Sequence, residues 1–240
     1  VLVLSSEQDD NAVVSASRSL RLPLVFAHRG ASAECPENTI KAFHRALQIG
    51  VAGIELDVRL AADGVPVVIH DVSLKRTHGR EEKVKELDSG TLGEQGVPSL
   101  LEVIAMCRNR CDLLVELKGG DLLLAETVAR LCGSFSNLRI LSFAPQMLAL
   151  VAELAPNLPL VLNLEEPLPK DDLAHAQLSA LSCNRTTANA KFVEEAHASG
   201  LQAWIFTCNK EQHFRQALAL KVDAIFSDDP RLAKEWFSQR

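Results

Sequence analysis

Short apolar runs alternate along this chain with longer amphipathic stretches, and that alternation limits the possible fold more than any other feature. Runs of strand character lie at 22–28, 52–59, 65–70, 112–118, 138–143, 158–164, 178–183, 201–207 and 223–227. Between most of them apolar residues recur at helical spacing. In 39–49, for example, Ile40, Phe43 and Leu47 share one face and Gly50 supplies a stop. Similar stretches lie at 100–107, 122–131, 145–154, 188–198 and 210–220. Strands alternating with helices build a parallel sheet covered by helices.

Nine strands are one too many for an eightfold barrel, and the spacing shows which is extra. The runs 52–59 and 65–70 are separated by little more than Ala62-Asp63-Gly64, a turn signal. A parallel crossover needs about a dozen residues or more. Run 65–70 must therefore fold back antiparallel on its predecessor. The other eight predict an α/β fold, a (β/α)8 TIM barrel with an extra antiparallel hairpin strand after the second barrel strand. A doubly wound open sheet is the alternative, but the glycine-rich first turn with which it holds a dinucleotide is missing. The length of 240 residues suits one barrel, assigned to 22–240, with 1–21 as a polar leading tail. The polar, glycine-containing stretch 78–99 is expected to be an excursion over the catalytic end of the barrel.

A formal net charge of −6 argues against nucleic acid as a partner, because phosphate-backbone binding needs basic surface. It leaves room for a local site taking one phosphate. The six cysteines are scattered, without a paired CxxC, and read as reduced thiols rather than a disulfide framework or a zinc site. Cys107 and Cys111 have helical i,i+4 spacing but no further ligand nearby. No apolar run approaches the roughly 18 residues of a membrane-spanning helix, so stable membrane insertion is not expected. A cytoplasmic location is the expectation, with a trimmed or processed N-terminus left open because there is no initiator methionine. The oligomeric state is left open.

Sites on such barrels gather at the C-terminal ends of strands. His28, Glu55, Asp57 and Glu116 all fall at or near such ends. Glu55 and Asp57, two residues apart on one strand, leave the same face, and Ile54, Leu56 and Val58 point the other way, toward the helices. Two carboxylates inside a barrel repel one another and need a cation. Glu116 completes an all-oxygen set, which favours Mg²⁺ or Ca²⁺ over zinc, and the competing reading is a buried salt bridge with Arg29, Arg59 or Lys118. His28 and His70 each end an apolar run, and their near-neutral pKa suits a general base and a general acid. Arg29 offers a fork for phosphate oxygens and Lys118 a second positive charge. His44, His78, His175, His197 and His213 are read as solvated.

His28-Arg29-Gly30, Pro36-Glu37-Asn38-Thr39, Ile54-Glu55-Leu56-Asp57-Val58, Val68-Ile69-His70-Asp71, Val115-Glu116-Leu117-Lys118 and Ser227-Asp228-Asp229-Pro230 occur in that order. As an ordered set, reaching from about Leu22 to the C-terminus, they resemble the glycerophosphodiester phosphodiesterase family. The resemblance implies a (β/α)8 barrel that hydrolyses small-molecule glycerophosphodiesters, such as glycerophosphocholine or glycerophosphoethanolamine, to glycerol 3-phosphate and an alcohol. By position it implies a divalent metal ion on Glu55, Asp57 and Glu116, an acid/base pair in His28 and His70, and phosphate contacts from Arg29 and Lys118. Glu37, Asn38 and Thr39 are expected to start the first helix and orient the His28 loop.

Three stretches depart from the family pattern. Arg76-Thr77-His78-Gly79-Arg80 lacks a second threonine and an asparagine, the late motif reads Phe206-Thr207-Cys208-Asn209, and Lys221 stands where glycine is common. They are read as touching the rim and substrate wall, where they bear on head-group preference. The alternative activities are a lysophospholipase D reaction on single-chain lipids and, from another enzyme class, a Schiff-base aldolase using Lys118.

Overall fold

The computed structural model describes residues 22–167 and 177–240; the leading tail 1–21 and His175 lie outside the described residues. The strands are β1 (Leu24–Ala27), β2 (Gly53–Leu60), β3 (Pro66–Val68), β4 (Asp112–Leu117), β5 (Leu138–Ser142), β6 (Leu160–Leu164), β7 (Leu178–Asn184), β8 (Gln202–Phe206) and β9 (Ala224–Ser227). Their order is β1-β9-β8-β7-β6-β5-β4-β2, and β1 also pairs with β2, so eight parallel strands close into a barrel. β3 lies outside that ring. It runs antiparallel to the end of β2, with Val58 opposite Val68 and Leu60 opposite Pro66, as the short turn requires.

The helices are α1 (Ile40–Ile49), α2 (Lys75–His78), α3 (Ser89–Glu94), α4 (Leu100–Cys107), α5 (Leu122–Cys132), α6 (Pro145–Leu154), α7 (Ala190–Ala198), α8 (Glu211–Leu220) and α9 (Pro230–Ser238). α1 starts at Thr39, whose side chain accepts from the Ala42 N–H, and stops at Gly50, in the left-handed conformation. α9 is a helix the periodicity did not single out. Its start signal was nevertheless present: Asp229 caps the Leu232 N–H and Pro230 occupies the first turn. α8 ends at Lys221 with φ 60°, so a lysine takes the left-handed position that glycine usually fills. Within 78–99, Val84, Leu92 and Val97 pack with Ala61, Val67, Ile69 and Leu74 in a small core of their own against the hairpin. None of the residues 78–99 lines the central cavity.

The main core lies between strands and helices and takes up Ile54, Leu56 and Val58. A second layer fills the barrel interior: Phe26, Leu114, Leu141, Val161, Ala180, Trp204, Ala224 and Phe226. Strand alternation makes this layer the floor of the mouth, because His28, Glu116, Asn163, Ser182, Phe206 and Asp228 each stand two residues beyond one of its members. Phe26 and Trp204 meet edge to face at 5.0 Å. Gly53 makes room for Leu114 and Phe26: a Cβ there would stand 2.7 Å from Leu114 Cδ1 and 3.0 Å from Phe26 Cδ1. No helix among the described residues is long and apolar enough to cross a membrane.

Trp204→Ala should destabilise the fold by about 3–5 kcal/mol in urea unfolding. Leu101→Ala, at a position 53% exposed, should stay within about 0.5 kcal/mol of the parent. A Trp204→Ala protein with an unchanged midpoint would remove the interior layer from the account.

Candidate active site

The site is assembled where β1, β2, β4 and the hairpin end. After β1 the chain turns sharply through Arg29 (φ 57°) and Gly30 (φ 82°). Gly30 is required on two grounds, its left-handed backbone and the 2.7 Å that would separate a Cβ from Ala42 Cβ on α1. The turn aims the Arg29 N–H at Glu55, donating to Oε2 at 2.9 Å. Arg29 Nη1 donates to Glu37 Oε1 at 2.9 Å, and Nε lies 3.1 Å from Asp57 Oδ2. Holding a non-glycine residue in left-handed backbone at such a place stores strain that the surrounding contacts must offset.

Glu55, Asp57 and Glu116 are 2%, 1% and 8% exposed, and each offers a carboxylate oxygen within 4.8 Å of the others. Three buried carboxylates need compensation, and it comes from four neighbours. Asn38 donates through Nδ2 to Asp57 Oδ2 at 2.8 Å and accepts the Asp57 N–H at 3.3 Å. Asn163 Nδ2 donates to Glu116 Oε2 at 3.1 Å. Lys118 Nζ donates to Glu116 Oε1 at 2.6 Å and lies 3.5 Å from Asp57 Oδ1, and Arg29 supplies the fourth contact. The salt-bridge reading is thus realised by Arg29 and Lys118. Arg59 instead donates through Nε to the His70 carbonyl at 2.8 Å.

Compensation is incomplete. Glu55 Oε1 is buried with no hydrogen-bond partner among the described residues. Burial first, and then the Asp57 charge, raise the Glu55 pKa to about 8; the same two causes raise that of Glu116. Burial pulls the Lys118 ammonium down, but Glu116 and Asp57 outweigh it and hold the amine charged.

The two histidines enter from different sides. His28 Nδ1 donates to Asp228 Oδ1 at 2.6 Å, and its Nε2 stands 4.0 Å from Glu55 Oε2. His70 Nδ1 donates to Asp71 Oδ1 at 2.7 Å, and the hairpin is tied to β2 by the Ile69 N–H on the Asp57 carbonyl at 2.9 Å. Burial lowers the His28 pKa, but the Asp228 hydrogen bond and the Glu55 charge more than offset it and the net shift is upward. For His70 burial prevails over Asp57 and Asp71, and the shift is downward. Both rings open on one cavity of about 320 Å³, which Arg29, Glu55, Glu116 and Lys118 also line. Asp57 touches two of those lining residues, Arg29 and Lys118. All seven residues named from the sequence are therefore brought together.

A model of the glycerophosphoryl diester phosphodiesterase family matches residues 28–232. The chain belongs to that family. It is 32% identical over 229 residues to a glycerophosphodiester phosphodiesterase of Caldanaerobacter subterraneus, covering 86% of this chain and 94% of the relative. A Bacillus altitudinis glycerophosphodiester phosphodiesterase is 30% identical, again over 86% of this chain and 94% of the relative. Among solved structures, an Oleispira antarctica phosphodiesterase in complex with the product sn-glycerol-3-phosphate superposes with a TM-score of 0.83 at 27% identity, covering 90% of this chain and 97% of that one. The chain is accordingly a phosphoric diester hydrolase built on a TIM barrel.

Several groups of this phosphodiesterase were not named among its site residues. Asp228 closes β9, accepts from Ser32 Oγ at 3.2 Å and is also bonded by Asn209 Nδ2. Asn209 thus stands behind His28, whereas Phe206 and Thr207 of the same motif line the cavity wall, where that stretch was expected. Arg76 forks onto Glu37 at 2.6 and 2.8 Å and reaches Asp71 Oδ2 at 2.6 Å, joining the loops that carry Arg29 and His70. Asn38 does more than orient the His28 loop, since it bonds Asp57 directly. His213 is buried rather than solvated, its Nδ1 accepting the Asn209 N–H at 3.1 Å.

These shifts set the pH dependence of the metal-free protein. A free glutamate releases its proton near about 4.3, so the raised Glu55 carboxyl makes the folded state hold an extra proton between that pH and its own value near 8. Its stabilisation is present at low pH and is lost as pH rises through about 8, and the raised His28 pKa acts with the same sign. In chelator, the melting temperature should fall from about pH 6.5 to about pH 8.5, and Glu55→Gln should flatten the fall. An unchanged slope in Glu55→Gln would contradict the assignment.

Proposed function

We propose that this phosphodiesterase hydrolyses glycerophosphodiesters, such as glycerophosphocholine or glycerophosphoethanolamine, to glycerol 3-phosphate and an alcohol. In this reading Glu55, Asp57 and Glu116 hold a divalent metal ion, Mg²⁺ or Ca²⁺, and His28 and His70 form the acid/base pair. One observation carries it: two imidazoles, each backed by a carboxylate, open on the cavity that three clustered carboxylates border. The names of the relatives and the product complex of the Oleispira antarctica enzyme support the substrate class.

The donor set fits such a metal. All three side chains offer oxygen, which hard cations prefer, and the unpartnered Glu55 Oε1 is a buried acceptor awaiting a positive partner. When bound, the cation supplies positive charge beside the phosphoryl oxygens. Arg29 and Lys118 hold the phosphate from the same side of the cavity. With each Nδ1 engaged by Asp228 or Asp71, the Nε2 atoms of His28 and His70 remain for proton transfer. One takes a proton from the nucleophile, either water or a substrate hydroxyl that yields a cyclic phosphate. The other protonates the leaving alkoxide.

The aldolase alternative requires Lys118 as a neutral amine, and its carboxylate neighbours favour the charged form instead. A cytoplasmic setting belongs to the proposal, supported by six cysteines that all stand unpaired.

Release of glycerol 3-phosphate from glycerophosphocholine should be abolished by EDTA and restored by Mg²⁺, Ca²⁺ or Mn²⁺ supplied in turn. His28→Ala and His70→Ala should each reduce the rate by about 10²–10⁴-fold, and Glu55→Ala should remove activity. Lysolipids in the same panel test the lysophospholipase D alternative. Full activity in His70→Ala, or indifference to chelation, would sink the mechanism.

A further inference from the structure

The barrel mouth is divided into two arcs. The arc from β9 through β1 and β2 to β4 carries every charged group used above. The opposite arc contributes to the same cavity Phe143 just after β5, Glu165 just after β6, Asn184 at the end of β7 and Phe206 at the end of β8. Phe143 and Phe206 meet edge to face at 5.9 Å, while Glu165 and Asn184 belong to the two strands between them. Lys118 Nζ lies 5.9 Å from the Phe143 ring centroid, so the aromatic pair borders the place assigned to the phosphate. Glu165 accepts a hydrogen bond from Asn184 Nδ2 at 3.3 Å and forms no ion pair among the described residues.

We propose that the aromatic pair Phe143–Phe206 and the carboxylate of Glu165 form a subsite for a cationic leaving alcohol, an alkylammonium ethanol such as choline or ethanolamine. The proposal rests on the glycerophosphodiester reading and adds the head-group class. Three features converge on it. An ammonium carried on an apolar body is attracted to aromatic rings by their quadrupole. A carboxylate that forms no ion pair among the described residues supplies the matching charge. Asn184 fixes that carboxylate on the cavity wall. A polyhydroxyl group would find few hydrogen-bonding partners on the two rings. The arrangement also orients the substrate, with the diester phosphate toward Arg29 and Lys118 and the positive head toward Glu165.

The test compares glycerophosphocholine with glycerophosphoglycerol, which shares the glycerol phosphate but has an uncharged head. Glu165→Gln should raise the KM for glycerophosphocholine and lower the ratio of kcat/KM between the two substrates by about tenfold. Phe206→Leu should shift the ratio the same way, and Glu165→Asp, which keeps the charge, should retain most of it. An unchanged ratio overturns the proposal. So does an equal loss on both substrates, which would place Glu165 on the shared glycerol. If the parent protein hydrolyses neither substrate, the proposed function fails and the subsite is judged alone by titrating choline chloride into the metal-loaded protein. Saturable binding that Glu165→Gln abolishes upholds it, and absence of binding overturns it.

Discussion

Three carboxylates buried within 4.8 Å of one another repel and have lost their hydration, and much of the barrel mouth is organised to offset that. The compensating groups come from separate parts of the chain: Arg29 from the turn after β1, Asn38 from the start of α1, Lys118 from beyond β4 and Asn163 from β6. Each makes its contact only when the strand order and register are correct, because Glu55, Asp57 and Glu116 sit on neighbouring strands with Asp57 opposite Glu116. A barrel assembled out of register would bury the same charges without partners, which is strongly unfavourable. The cluster that suits a cation thus also specifies one arrangement of its strands.

The hairpin gives the same cluster its second histidine. β3 is too short to add much core, yet its pairing with β2 returns the chain to the mouth beside Asp57. From there alternating charges run outward: His70 to Asp71, Asp71 to Arg76, Arg76 to Glu37 and Glu37 to Arg29. Hydrogen bonds from Arg76, with Arg29 adding its charge, draw the Glu37 pKa down to about 2. Asp71 reaches about 2 as well, against the opposing pull of burial, through Arg76 and His70. The circuit joins the two loops that carry the histidines.

Local pattern made most of the fold legible. All nine strands overlap runs of apolar residues; for the eight barrel strands the reason is that a parallel strand covered on both faces reads as a mostly apolar run. The hairpin followed from chain length alone, since no crossover fits between Leu60 and Pro66. Glu55, Asp57 and Glu116 were legible because carboxylates in an apolar strand have no packing role. What escaped depends on distance in sequence. Asp228 lies 200 residues from His28, and nothing in Ser227-Asp228-Asp229-Pro230 says which ring it will meet. Asn163, inside the apolar run 158–164, carries no local sign that β6 sets it against Glu116. His213 looked solvated because a helix face is assigned by its apolar residues, yet this ring turns inward to the Asn209 backbone.

The role proposed for the buried carboxylate cluster is to hold a divalent cation. Calorimetric titration of Mg²⁺ or Ca²⁺ into chelator-treated protein tests it most directly. One saturable site per chain is expected, with proton release near neutral pH, as the cation displaces the proton that a pKa of about 8 retains on Glu55. Binding should weaken by at least about tenfold in both Glu55→Gln and Asp57→Asn. Cation binding of unchanged affinity in both variants would contradict it.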